Sequence, residues 1–112
     1  MKLLIAGSRG ITSFDLSEYI PEDTEMIICG GAKGIDTIAN EYAINNNIPI
    51  TIVRPQYNLY GIAAPIKRNE QMVDMADEVL VVWDGASRGT KSTIEYARRM
   101  NKKVTVIIVD KN

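Results

Sequence analysis

The sequence predicts an α/β sandwich, one parallel sheet covered by helices on both faces. Two observations carry this expectation. Five short runs rich in Ile and Val recur along the chain, and the stretches between them have the spacing of amphipathic helices. Lys2 to Ala6 is the first run. Ser13 to Ile20 is expected to form a short helix, because Thr12 with Asp15 three residues later has the form of a capping box and Pro21 ends it. Met26 to Cys29 is the second strand. Ile35, Ile38, Ala39, Tyr42 and Ala43 follow i, i+3, i+4, i+7, i+8, the clearest helical stripe in the chain, and Asn45-Asn46-Asn47 reads as its exit. Ile50 to Val53 is the third strand. Pro65 suits the first turn of a helix running to Ala76. Val79 to Trp83 is the fourth strand, Thr93, Ala97 and Met100 stripe a helix from Gly89 to Lys102, and Val104 to Val109 is the fifth strand. Strands alternating with helices in this way require right-handed crossovers and a parallel sheet. The result is a Rossmann-like three-layer sandwich whose economical strand order is 3-2-1-4-5, with ligands lodging at the switch point between strands 1 and 4.

Composition sets the class. At 112 residues with 46% hydrophobic and 24% charged content, the chain makes one globular domain, residues 1–112, that needs no metal or disulfide to hold it. With no His and a single Cys29, His-dependent catalysis and the common zinc sites are excluded, and no metal or cofactor is expected. Thirteen basic against 14 acidic residues leave a net charge of −1 and no general attraction to nucleic acid or anionic membrane. The apolar start, Met1 to Gly7, is too short for a signal peptide core or a spanning helix, so a soluble cytoplasmic protein is expected.

Glycines gather where strands 1, 2 and 4 stop: Gly7 and Gly10; Gly30, Gly31 and Gly34; Gly85 and Gly89. One such loop is an ordinary tight turn. Three on one edge favour an anion, because glycine lets backbone N–H groups approach a ligand and each following helix offers its positive end. The Gly85 to Thr93 loop adds Arg88, Lys91 and four hydroxyls at a helix start, which suits a phosphate. Gly7-Ser8-Arg9-Gly10 is not G-x-G-x-x-G, which excludes an ordinary dinucleotide dehydrogenase, and the third loop lacks the spacing of a Walker A motif.

Four successive segments carry a family resemblance: Gly7-Ser8-Arg9, Gly30-Gly31-Ala32-Lys33-Gly34-Ile35-Asp36, Arg68-Asn69-Glu70-Gln71-Met72, and Trp83-Asp84-Gly85 with Ser87-Arg88-Gly89-Thr90. Together they resemble the SLOG superfamily and, within it, the small YspA-like (cpYpsA-related) proteins. The superfamily includes the LOG phosphoribohydrolases and DprA, and the resemblance implies binding of a nucleotide or nucleotide-derived ligand and a homodimer. Arg68 and Met72 match the R-K-x-x-M part of the LOG motif, which implies an anion-binding role for Arg68. The glutamate that LOG enzymes carry after their Gly-Thr is missing; Glu95 stands two residues too late, a rotation of about 200° on a helix.

These readings give a set of ligand-binding candidates: Gly7, Ser8, Arg9, Gly30, Gly31, Ala32, Arg68, Asn69, Gly85, Ser87, Arg88, Gly89 and Thr90. Arg68 and Asp84 are the catalytic candidates should a reaction occur. Asp36 reads as a carboxylate favoured by the helix dipole, Lys33 as solvated, and Trp83 and Cys29 as core. Tyr57 and Tyr60 are candidates for stacking on a base, and Glu95 with Arg99 for a surface ion pair. Two function classes follow. The first is a nucleotide-derivative sensor, in which removing Arg68 weakens binding and leaves the unliganded fold unchanged. The second is a hydrolase of the N-glycosidic bond of a nucleoside phosphate, which needs a carboxylate at the anomeric carbon. Single-stranded DNA binding ranks last, because it requires a basic track with stacking aromatics.

Overall fold

The computed structural model describes residues 1–110. The apolar runs form five strands, β1 (Lys2–Gly7), β2 (Met26–Cys29), β3 (Ile50–Ile52), β4 (Glu78–Trp83) and β5 (Lys103–Ile108). They pair in parallel in the order β3-β2-β1-β4-β5, as the alternation of elements requires. Strands β1 and β4 lie inside the sheet and carry unbroken Ile, Leu and Val because both of their faces are covered. The edge strand β5 alternates between half-buried and exposed positions over most of its length. The register sets Gly7 beside Val82 and Cys29 beside Ile52, so the carboxyl ends of the strands reach one edge together.

The helices are α1 (Ile35–Asn45), the single turn α2 (Tyr57–Tyr60), α3 (Ala64–Met75) and α4 (Arg88–Arg99); a 3-10 turn, Gly61–Ala63, joins α2 to α3. Two apolar layers follow. On one face Ile35, Ala39 and Ala43 of α1 pack on Leu3, Ile5 and Ile27; on the other, Met72 and Val73 of α3 and Ile94 and Ala97 of α4 pack on Leu4, Ile28 and Val81. Asn47 and Asn101 adopt positive φ just beyond α1 and α4, a conformation that Asn tolerates at helix exits.

The expected helix at Ser13 to Ile20 does not form. The Asp15 carboxylate accepts hydrogen bonds from the Ser17 N–H (2.9 Å) and hydroxyl (2.7 Å), a local turn that competes with helix. Ile11 and Leu16 are both buried in the layer that packs against α1. An irregular path buries both, and Phe14 stacks on Tyr19 with ring centres 5.6 Å apart. This segment thus takes the place of a helix over the α1 face. The expected Glu95–Arg99 ion pair is also absent among the described residues; the Arg99 guanidinium instead lies 5.6 Å from the centre of the Tyr96 ring.

Candidate functional site

Where β1, β2 and β4 end, their loops and the first turns of α1, α3 and α4 enclose a cleft of about 380 Å³. From the first loop Gly7, Arg9 and Gly10 line it; from the second, Ala32 and Asp36; from α3, Pro65, Arg68 and Asn69; from the third, Asp84, Ser87, Gly89, Thr90 and Thr93.

The third loop is built around Asp84. Its carboxylate accepts the N–H groups of Ala86 and Ser87, each at 2.8 Å, and the Ser87 hydroxyl at 3.0 Å from both oxygens. This is the Asx-type turn that an aspartate at a strand end favours. Ser87 is the N-cap position of α4, yet its hydroxyl turns to Asp84 and makes no cap bond; the first turn itself carries no acidic residue, and the Asp84 carboxylate is the one negative charge at this helix start, held by the N–H groups of Ala86 and Ser87. The Ser87 carbonyl takes the Trp83 indole N–H at 3.1 Å, which fixes the loop against the core layer that Trp83 joins; Trp83 does not line the cleft.

Ser8 ties two loops together. Its hydroxyl accepts the Asp84 N–H at 3.0 Å and lies 3.1 Å from the Ser87 hydroxyl, and the residue is only 1% exposed. It supports the cleft from beneath and does not line it. Gly34, at φ 74°, allows α1 to start against this loop: a Cβ there would lie 2.6 Å from the Arg9 carbonyl oxygen and collide with that of Ser8.

Arg68 is the buried cation of the site. Nη1 donates to the Gly30 carbonyl at 2.8 Å and the Val53 carbonyl at 3.3 Å, and Nε to the Asn69 side chain at 2.8 Å. Gly30 permits this closeness, since a Cβ there would sit 2.6 Å from Nη1 and 3.0 Å from Asp36 Oδ2. Burial lowers the affinity of Arg68 for its proton, and the Asp36 charge opposes that. Burial likewise pushes the Asp36 carboxyl above its ordinary range, against the Ala32 N–H (3.0 Å to Oδ2) and the Arg68 charge, which both favour the ionised form. The Cys29 thiol, buried beneath the second loop, is pushed up by its apolar surroundings and fits the reading of a small core residue.

The structure therefore brings Gly7, Arg9, Ala32, Arg68, Asn69, Asp84, Ser87, Gly89 and Thr90 to one cleft. Gly31, Gly85, Arg88 and Lys33 are exposed and do not line it, and Gly30 forms a buried support under Arg68. Tyr57 and Tyr60 do not line the cleft; Tyr57 lies on a separate shallow concavity formed by residues 55–59, near enough to Arg68 to act on its charge. Sequence reasoning left Asp36, Thr93 and Pro65 out of the ligand-binding set, and all three line the cleft. The dipole explanation of Asp36 hid it, whereas its place two residues after Gly34 in the second loop was the usable signal. No family model, curated protein or solved structure matches the chain. Among the described residues no cluster of His, Cys, Asp and Glu could hold a metal ion, and no helix is long and apolar enough to cross a membrane.

Proposed function

We propose that this protein binds a nucleotide or nucleotide-derived small molecule, with a phosphate at the N-terminus of α4 between Arg9 and the Gly89–Thr90 turn. The observation that carries this reading is the combination, in one cleft, of an uncapped helix start and a buried arginine whose Nη2 N–H groups have no protein acceptor among the described residues. Binding is favoured over N-glycosidic hydrolysis because Asp84 is engaged by its own loop and no glutamate follows Gly89–Thr90. The exposed apolar side chains of Tyr57, Leu59, Ile62 and Ile66 beside the start of α3 support a homodimer, which sedimentation would detect as twice 12.4 kDa. A cytoplasmic location fits a chain whose one thiol is buried and reduced.

A thermal-shift panel of nucleoside mono- and diphosphates, cyclic nucleotides and ADP-ribose-like compounds tests the main reading. A compound at 100 times its dissociation constant stabilises the fold by about 2.7 kcal/mol. No shift with any of them would refute it.

A further inference from the structure

The two edges of the sheet are not alike. β3 closes one edge with three residues, and the chain then leaves through Arg54 and Pro55. A short strand followed by a charge and a proline offers little for another chain to pair with. β5 closes the other edge with six residues, Lys103-Val104-Thr105-Val106-Ile107-Ile108, and all but the first are β-branched. Its one charge, Lys103, lies 3.7 Å from Glu78 on β4, and neither proline nor bulge interrupts its pairing with that strand. Among the described residues no element pairs with its outer side.

Hydrogen-bond parity fixes which groups face outward. The Val109 N–H donates to the Trp83 carbonyl at 2.9 Å, and the register runs without a break from Glu78 beside Lys103 to Trp83 beside Ile108. Successive residues of a strand turn their backbone groups to opposite sides, so the odd positions of β5 face β4, and Val104, Val106 and Ile108 present N–H and C=O to the open edge. Their side chains share one face. Val104 and Val106 join the layer under α3 and α4, and Ile108, on the same side of the strand, is 67% exposed.

This arrangement is its own complement. An antiparallel pair about a two-fold axis at Val106 sets Val106 against itself and Val104 against Ile108 of the second copy, which keeps like faces together and forms about six backbone hydrogen bonds. The flank of α4 agrees. Tyr96 faces α3, its hydroxyl donating to Asp74 at 2.9 Å, so the exposed Lys91 and Glu95 lie on the opposite flank, toward β5. Three residues up β5 from Lys103 is about 10 Å, or about seven residues back along α4, which puts the axis near Thr93. Lys91 and Glu95 stand on either side of that height, so the axis sets Lys91 of one copy opposite Glu95 of the other.

We infer that β5 pairs with the β5 of a second copy, antiparallel about Val106, so that two five-stranded sheets join into one of ten strands. This surface is separate from the exposed Tyr57, Leu59, Ile62 and Ile66, because α2 follows β3 at the other edge of the sheet, and it does not depend on what the cleft binds.

Sedimentation equilibrium of Ile62→Asp isolates the β5 edge, since Ile62 is 89% exposed and belongs to the other surface. At about 100 μM this variant is expected to weigh twice 12.4 kDa. Adding Ile108→Lys, which sets a charge opposite Val104, or Val106→Pro, which removes an N–H that points outward, is expected to raise the dissociation constant at least about tenfold. Air oxidation reads the register. With Cys29 buried, Val106→Cys is expected to form a covalent dimer, because opposed residues of a hydrogen-bonded pair lie about 5.5 Å apart, within disulfide reach; the more exposed Ile108→Cys is expected to stay reduced. A species of 12.4 kDa in Ile62→Asp overturns the inference, and a wild type that still weighs twice as much then leaves the Ile62 surface as the interface. A dimer of Ile62→Asp that neither β5 change weakens overturns it too, as does faster cross-linking of Ile108→Cys than of Val106→Cys. Should Val106→Pro fail to fold, Ile108→Lys decides.

Discussion

Replacing Arg68 by alanine removes a side chain that the sequence suggests is dispensable to the unliganded fold and that the structure makes part of it. Arg68 is 7% exposed and bridges the ends of β2 and β3 through the Gly30 and Val53 carbonyls. Gly30 is buried, so its carbonyl loses a charged donor that water replaces poorly; Val53 and Asn69 lie nearer the rim and rehydrate. Loss of a hydrogen bond to a charged group with one buried acceptor left unpaired costs about 2–3 kcal/mol, after the relief of desolvating Arg68 itself is allowed for. For a domain of this size that is a fall in Tm of roughly 8–15 °C. Urea unfolding of the wild type, Arg68→Ala and Arg68→Met measures it, since methionine retains most of the apolar stem and isolates the guanidinium. Ligand binding by Arg68→Ala should fall by roughly 10–100-fold in addition. If Arg68→Ala unfolds within about 0.5 kcal/mol of the wild type, the range of ordinary surface changes, the bridging role is refuted.

Three further outcomes are expected. Gly34→Ala places a Cβ against the carbonyls of Ser8 and Arg9 at φ 74°, and backbone strain of about 1–3 kcal/mol plus displacement of the loop should abolish folding or lower Tm sharply; a near-native melting curve would count against the packing of α1 on this loop. Asp36 has a native proton affinity raised above its unfolded value of 3.8, so its ionisation removes stability as pH rises from that value through the native one; Asp36→Asn should melt no lower than the wild type at pH 7, with the difference narrowing toward pH 3, and thermal scans across that range check the sign. Chromatography of base released from AMP, GMP, CMP and UMP should show none or very slow release, and brisk turnover that vanishes in Asp84→Asn would make Asp84 a catalytic carboxylate in place of the missing glutamate.

The strand order and the position of the cleft were legible in the sequence, because short Ile- and Val-rich runs alternating with helical stripes suit the strands of a parallel sheet and glycines after three of them mark the edge where ligands lodge. The helix stripe at Ile35 to Ala43 was equally plain, since its burial follows the 3.6-residue period. Local signals were weaker where the chain had a choice: the Thr12 and Asp15 pair looked like a cap, but the Asp15 carboxylate takes the N–H and hydroxyl of Ser17 and holds the segment in a turn. The roles of single side chains within the loops came from tertiary structure alone. Ser8, Arg88 and Arg68 all sit in glycine-flanked or helix-start contexts that suit an anion, yet Ser8 is buried as a tie between two loops, Arg88 points to solvent, and Arg68 joins β2 to β3 while lining the cleft. Asp36 and Arg68 are 32 positions apart, and nothing in the spacing of residues along a chain says that two of them will crowd one glycine. Periodicity reports which face of an element is buried; which side chains meet across elements is fixed only when the sheet register and the packing of α1 and α3 on opposite faces bring their ends together.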